Sequence, residues 1–265
     1  MEWFRNWFDE RYLTVYRHRD GAEAERFVKR WPVWDGIPAG GWCLDLGCGA
    51  GRYARAIAAR GLKVLGLDLS RLLIRTSQDE ADGGCSVRFV RADMRAIPSA
   101  GPFVLVVSLF TSFGYFDDDD QHRRLLRDLH HILAPEGRIV MDLPNPIAVR
   151  LKVSQEPASH ASVGGLVIHE ERHLEESPLR VVKRIVIREG DQRFEYQESV
   201  RLYTSGELEA MMIEAGFSPQ AAEPLQTAEP LHASETHQAV VWGDYDGSPF
   251  SPSSPRIVYF GSKSG

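Results

Sequence analysis

The chain has 265 residues, 31 Lys and Arg against 37 Asp and Glu, and a formal net charge of −6. That length suits one large α/β domain with an insertion, and an acidic balance with scattered bases gives no electrostatic footprint for nucleic acid. No apolar run approaches the roughly eighteen residues of a membrane span, and Met1–Glu10 mixes charges with aromatics unlike a signal peptide. Cys43, Cys48 and Cys85 lack any C-x-x-C spacing and read as reduced thiols of a cytoplasmic protein.

In chain order, the pattern predicts helices over Trp3–Tyr16 and Ala22–Arg30, then an alternation of strand and helix. Strands are expected at Gly41–Asp45, Lys63–Asp68, Val87–Arg91, Phe103–Ser108 and Arg138–Asp142, and helices at Gly51–Arg60, Ser70–Ala81 and Asp118–Leu133. This is the rhythm of a parallel sheet. Asp117 to Asp120 precede the last of these helices and read as acids at the positive end of its dipole, not as a metal site. His130 and His131 are adjacent on that helix, do not face one another, and are taken as surface residues. From Gly164 to Tyr203 the runs Leu166–His173, Val181–Glu189 and Phe194–Tyr203, split by turn residues, predict an antiparallel insertion. Thr204 to Glu207 spell a capping box for a helix over Leu208–Ala215, ended by Gly216. A polar loop over Ser218–His237 follows, and strands at Ala239–Asp244 and Arg256–Lys263 close the sheet.

The chemistry concentrates after the first strand, at Asp45-Leu46-Gly47-Cys48-Gly49-Ala50-Gly51, with Asp68 ending the next strand twenty-one residues past Gly47. Glycines at a strand-to-helix turn let backbone approach a ligand, and an acid at the second strand end can accept from both ribose hydroxyls. A dinucleotide fingerprint needs its third glycine at position 52, where Arg52 stands, so an NAD-dependent oxidoreductase is disfavoured. Asp45 also sets negative charge where a pyrophosphate would lie, and suits a ligand with a cationic end.

This loop resembles motif I of the class I S-adenosylmethionine-dependent methyltransferases. Val87 to Met94 is similar to the family's third strand with its adenine-facing acid, and Leu109 to Phe116 to the motif after its fourth strand. Ala134-Pro135-Glu136-Gly137-Arg138 resembles the turn before its fifth strand, with Glu136 in place of the first glycine and Gly137 left to supply the flexible position. Gly243 to Pro249 is similar to a signature of small bacterial members. The resemblance implies a Rossmann-like, seven-stranded, mostly parallel sheet with helices on both faces, plus the small antiparallel insertion. Residues 1–38 would form a helical lid, 39–146 with 204–265 the S-adenosylmethionine-binding domain, and 147–203 the insertion covering the substrate.

Carried onto this chain, the family implies a cofactor site of Tyr16, Asp45, Gly47, Gly49, Gly51, Asp68, Leu69, Asp93, Met94 and Leu109, with S-adenosylhomocysteine as product. A mainly apolar acceptor pocket is expected from Tyr12, Phe113, Tyr115, Tyr203 and Tyr245. The catalytic group stays open among Tyr16, Tyr115, Asp142, His169 and Asp244, and a base is needed only for a protonated acceptor. Ordinary aromatic packing with Trp3, Phe4 and Trp7 is an equal reading of Tyr12 and Tyr16. The stretch Ser108-Leu109-Phe110-Thr111 lacks the Asn/Asp-Pro-Pro-aromatic motif of nucleic-acid amino methylation, so a small-molecule methyl acceptor is expected. The chain is expected as a monomer or homodimer with no metal, nucleic-acid or membrane partner. Methylation of nucleic acid or protein and a non-catalytic cofactor sensor are the alternatives.

Overall fold

The computed structural model describes residues 2–17, 21–80, 86–219 and 241–263. A 3-10 turn at Trp3–Arg5 leads to α1 (Glu10–Val15) and α2 (Gly21–Lys29), and a second such turn spans Pro32–Trp34. Then follow β1 (Trp42–Leu46), α3 (Arg52–Ala58), β2 (Lys63–Asp68), α4 (Arg71–Asp79), β3 (Val87–Arg91), β4 (Phe103–Ser108), α5 (Asp119–Ile132) and β5 (Leu133–Pro144). Next come α6 (Pro146–Gln155), β6 (Ala158–Val163), β7 (Leu166–Glu176), β8 (Leu179–Glu189) and β9 (Gln192–Arg201). The chain closes through α7 (Ser205–Glu214), β10 (Phe217–Pro219), β11 (Val241–Trp242) and β12 (Arg256–Lys263).

The main sheet runs β10-β12-β5-β4-β1-β2-β3, with short β11 also on β12. The five strands β1 to β5 are parallel, while β12 lies antiparallel to β5 and β10 to β12. Both faces are covered, which is why β4 reads as a continuous apolar run. Leu105 and Val107 of that strand pack with Phe27 of α2 and Ile57 of α3, whereas Val106 packs with Leu126 and Leu129 of α5. Asp118 accepts from the Asp120 N–H and caps α5, and Thr204 and Glu207 make the reciprocal capping box of α7.

A second sheet, β6-β7-β8-β9, is antiparallel throughout. Its buried face carries Ile168, Ile185 and Ile187, against which the N-terminal segment packs. Trp3 Nε1 donates to the Ser199 carbonyl at 2.9 Å, Tyr196 Oη donates to Asp9 at 2.6 Å, and the Arg11 guanidinium sits 3.3 Å over the Phe194 ring. Buried Arg180 ties this sheet to the β4–α5 loop by donating to the Phe116 and Gly114 carbonyls.

The structure corrects the sequence reading in three places. The helix expected over Trp3–Tyr16 is a 3-10 turn and the six-residue α1, because Asp9 accepts from the Arg11 and Tyr12 N–H groups and restarts the helix there. The turn expected before the fifth strand lies within β5, at its start, and takes its left-handed residue at Glu136 (φ 60°), not at Gly137, where a Cβ would instead meet the Ala134 carbonyl oxygen at 2.8 Å. Helix α6 and strand β6 were not expected. Asn145 caps α6 by accepting from Ile147, with Pro146 at its first position, a start signal readable as a break. Most of the Ser218–His237 loop, together with Ala239, Val240 and Cys85, lies outside the described residues. Cys43 and Cys48 are buried free thiols, and no described helix is long and apolar enough to cross a membrane.

Candidate cofactor and acceptor site

A cavity of about 610 Å³ opens at the C-terminal ends of β1, β2 and β4, the edge where open α/β sheets bind ligands. Asp45, Gly47, Gly49, Asp68, Leu69, Asp93, Met94, Leu109, Tyr12, Tyr16 and Tyr115 all line it. Gly47 turns the chain at φ 75°, and a Cβ there would lie 2.5 Å from Ser112 Oγ. Gly51 is off the cavity wall; it starts α3 at φ 81°, and a Cβ would strike the Phe89 ring.

Two acids face this space with unequal partners. Asp68 is held by two backbone donors, Gly49 N–H at 2.9 Å and Ser70 N–H at 2.8 Å. Burial raises its pKa against the pull of those donors. Asp45 is 2% exposed, and its Oδ2 has no hydrogen-bond partner. Burial first, and then the charge of Asp68, push its pKa up to about 7. A buried, unpartnered carboxylate oxygen beside a second acid is the environment a ligand cation stabilises. Asp93 is engaged differently: Arg95 donates to both its oxygens and holds its pKa below the usual carboxylate range.

A second cavity of about 250 Å³ shares Phe8, Tyr12, Tyr16, Phe110 and Tyr115 with the first. The five rings mark the junction of the two spaces. Beyond them lie Trp3, Thr111, Pro144, Val181 and Val200, together with Arg172, Lys183 and Glu198. Phe110 and Thr111 both have positive φ (58° and 68°), costly for side chains of their kind. Buried Asp142 over-determines that turn: it accepts from Phe110 N–H and from Tyr245 Oη, each at 2.7 Å, and from Arg256, which also donates to Thr111.

Several expected site residues lie elsewhere. Phe113 is 1% exposed and packs on His122 and Tyr203, because its place in the β4–α5 loop points it into the core. Tyr203 donates to Asp119 at 2.8 Å, meets His122, and lines neither cavity. Tyr245 is spent on Asp142, with its ring 4.5 Å from Phe27. The Asp244 carboxylate accepts from the Tyr245 N–H of its own turn. His169 pairs with Glu171 at 3.2 Å and with the His160 ring, away from both cavities. The Tyr16 pKa is raised to about 12 by burial and the Glu198 charge, so its phenol is no base at neutral pH. The wall of the second cavity, with Arg172, Lys183 and Glu198, is more polar than the apolar pocket expected from sequence. Sequence reasoning passed over Phe8, Phe110, Thr111, Arg172, Lys183 and Glu198; the available signal was Lys183, set among Val181, Ile185 and Ile187 at one β-strand parity. Among the described residues no group of three metal-ligating side chains converges.

Residues 43–137 match a family model described as a methyltransferase domain. Residues 43–137 thus carry a methyltransferase domain. YqeM of Bacillus subtilis (strain 168), provisionally named a methyltransferase, is 29% identical over 117 residues, 43% of this chain and 47% of that protein. The matched stretch thus spans about half the length of that relative. Among solved structures, an S-adenosylmethionine-dependent methyltransferase of Clostridium acetobutylicum ATCC 824 superposes with TM-score 0.74 at 16% identity, covering 96% of each chain. The aminopentose methyltransferase CalS10 of Micromonospora echinaspora, solved with S-adenosylmethionine bound, gives TM-score 0.63 at 18% identity, over 98% of this chain and 99% of that one. At such identities the likeness is one of fold.

Proposed function

We propose that the protein transfers a methyl group from S-adenosylmethionine to a small-molecule acceptor. The observation that carries this reading is the unpartnered Asp45 oxygen in a glycine-walled cavity that adjoins, across five shared aromatic rings, a second cavity of about 250 Å³. Bound there, the cofactor would supply a methyl group already activated on a sulfonium. Asp45 would pair with its ammonium, Asp68 accept from the ribose hydroxyls, and Asp93, Met94 and Leu109 flank the adenine. Tyr12, Tyr16 and Tyr115 would face the sulfonium, whose charge their ring faces favour.

The task left to the chain is to hold the acceptor in line at near-attack distance, an effect worth about 7–11 kcal/mol. Aromatic walls exclude water and strengthen the electrostatics within. Trp3 and Trp7 are core residues, so a lid over the junction is proposed for α1 alone. A wall sealed at the junction would favour a sensor without activity; the second cavity favours an enzyme. CalS10 acts, by its name, on an amino pentose, which is a small-molecule acceptor.

The test incubates the protein with methyl-labelled S-adenosylmethionine and a cell extract separated into metabolite and macromolecule fractions. Label is expected in the metabolites, and Asp68→Asn should lower the transfer at limiting cofactor by about tenfold or more, as a charge-assisted bond is lost. Label confined to protein or nucleic acid would overturn the substrate class.

A further inference from the structure

The wall of the second cavity contributed by the antiparallel sheet carries charge where strand parity places apolar side chains. Arg172, Lys183 and Glu198 are register partners across β7, β8 and β9, on the face that also bears Ile168, Ile185 and Ile187. Their side chains are only 13%, 15% and 19% exposed, and Glu170, one row away, is equally covered. Apolar side chains of similar volume would bury there at lower cost. The four charges sum to zero and are paired among themselves. Lys183 Nζ lies 2.7 Å from Glu198 and 3.6 Å from Glu170, and donates to Tyr16 Oη at 3.0 Å. Arg172 pairs with Glu170 and donates to Ser159 Oγ.

This balance selects the kind of ligand. An anion entering the cavity meets cations already paired, with Glu198 beside them. An ammonium meets Lys183 and Arg172. A hydroxyl gains from both, since it donates to carboxylate lone pairs that Trp7 Nε1 and Lys183 leave over and accepts from cationic N–H groups. Three strands set the row about 10 Å wide, room for several hydroxyls rather than one. Across the cavity stand the Trp3, Phe110 and Tyr115 rings, a surface for an apolar ring face.

We propose that the second cavity receives an uncharged polyhydroxylated ring, of the glycoside or cyclitol class, with its hydroxyl edge on Arg172, Lys183 and Glu198 and its flat face on the aromatic wall. This rests on the methyltransferase reading and deepens it: Lys183 and Glu198 become specificity-determining residues for the acceptor.

The test is saturation-transfer NMR on the full chain saturated with S-adenosylhomocysteine, with methyl α-glucopyranoside, myo-inositol, 4-methylphenol, cyclohexylamine and benzoate as probes. One or both polyols are expected to bind at least about tenfold tighter than the other three, the factor one net charge-assisted bond supplies. The double variant Lys183→Met/Glu198→Gln removes one charge of each sign, and the amide still serves Trp7. It should keep the parent's S-adenosylhomocysteine affinity and lose polyol binding by about tenfold or more. Preference for the phenol, amine or carboxylate, or polyol binding unchanged in the double variant, overturns this inference alone. A parent that fails to bind S-adenosylhomocysteine overturns the methyltransferase reading and this one with it.

Discussion

At the residue scale the site turns on Asp45. Its pKa of about 7 follows from burial and from Asp68 nearby, so near neutral pH a substantial fraction is protonated before any ligand arrives. Pairing with an ammonium requires the ionised form. Cofactor affinity should therefore fall about tenfold per pH unit below 7, and fall again above about 8 as the ligand's own amine loses its proton. Asp45→Asn should weaken binding by about 1.5–3 kcal/mol and flatten the acidic limb. An acidic limb unchanged in that variant would assign the titration to another group. His122 makes a second, independent prediction. It is fully buried, and burial lowers its pKa to about 4 despite the Asp119 charge. The unfolded value, near 6.5, is higher, so the unfolded chain takes the proton first. The His122 contribution is complete above about 6.5 and is lost as pH falls toward 4, on the order of 3 kcal/mol. Urea midpoints measured from pH 8 to 4 should show that loss in the parent and a smaller one in His122→Gln. Parallel curves would mean that His122 is not its source.

At the scale of elements, the N-terminal segment shows how far a pattern can be read. Aromatics at Trp3, Phe4, Trp7 and Phe8 have helical spacing, yet Asp9 breaks the run, and the rings serve as a hydrophobic bridge between the two sheets. Trp7 is 1% exposed and donates to Glu198. Trp7→Ala should cost about 3–5 kcal/mol, read as a lowered denaturation midpoint. A loss below about 1 kcal/mol would show that the segment is only draped over the cavity. The β8 run was legible because hydrophobic residues recur at every second position. Lys183 at the same parity was the local conflict, and such conflicts mark functional places. Strand β6, with the polar sequence Ala158 to Val163, lies at the sheet edge and is mostly exposed, so it carries no apolar alternation to read.

At the scale of the molecule, the parallel sheet was legible because β1, β2 and β4 are buried on both sides and must be apolar, while the glycine loop declares the ligand edge. What sequence could not show is which loop residues face the cavity and which the core. Phe113 and Tyr115 are two positions apart, yet one packs inward on His122 and the other lines both cavities. Long-range partners decide this: Arg180 from β8 holds the Gly114 and Phe116 carbonyls, and Asp142 from β5 pins Phe110. Pairings between residues tens of positions apart leave no local periodicity. The central claim is that the Asp45–Asp68 cavity holds an S-adenosyl cofactor, and calorimetric titration of the full chain at pH 7.5 tests it most directly, a pH set between the limits of about 7 and 8 that Asp45 and the ligand amine impose. S-adenosylhomocysteine should bind one per chain and NAD should give no saturable heat; saturable NAD binding, or none by S-adenosylhomocysteine, would contradict it.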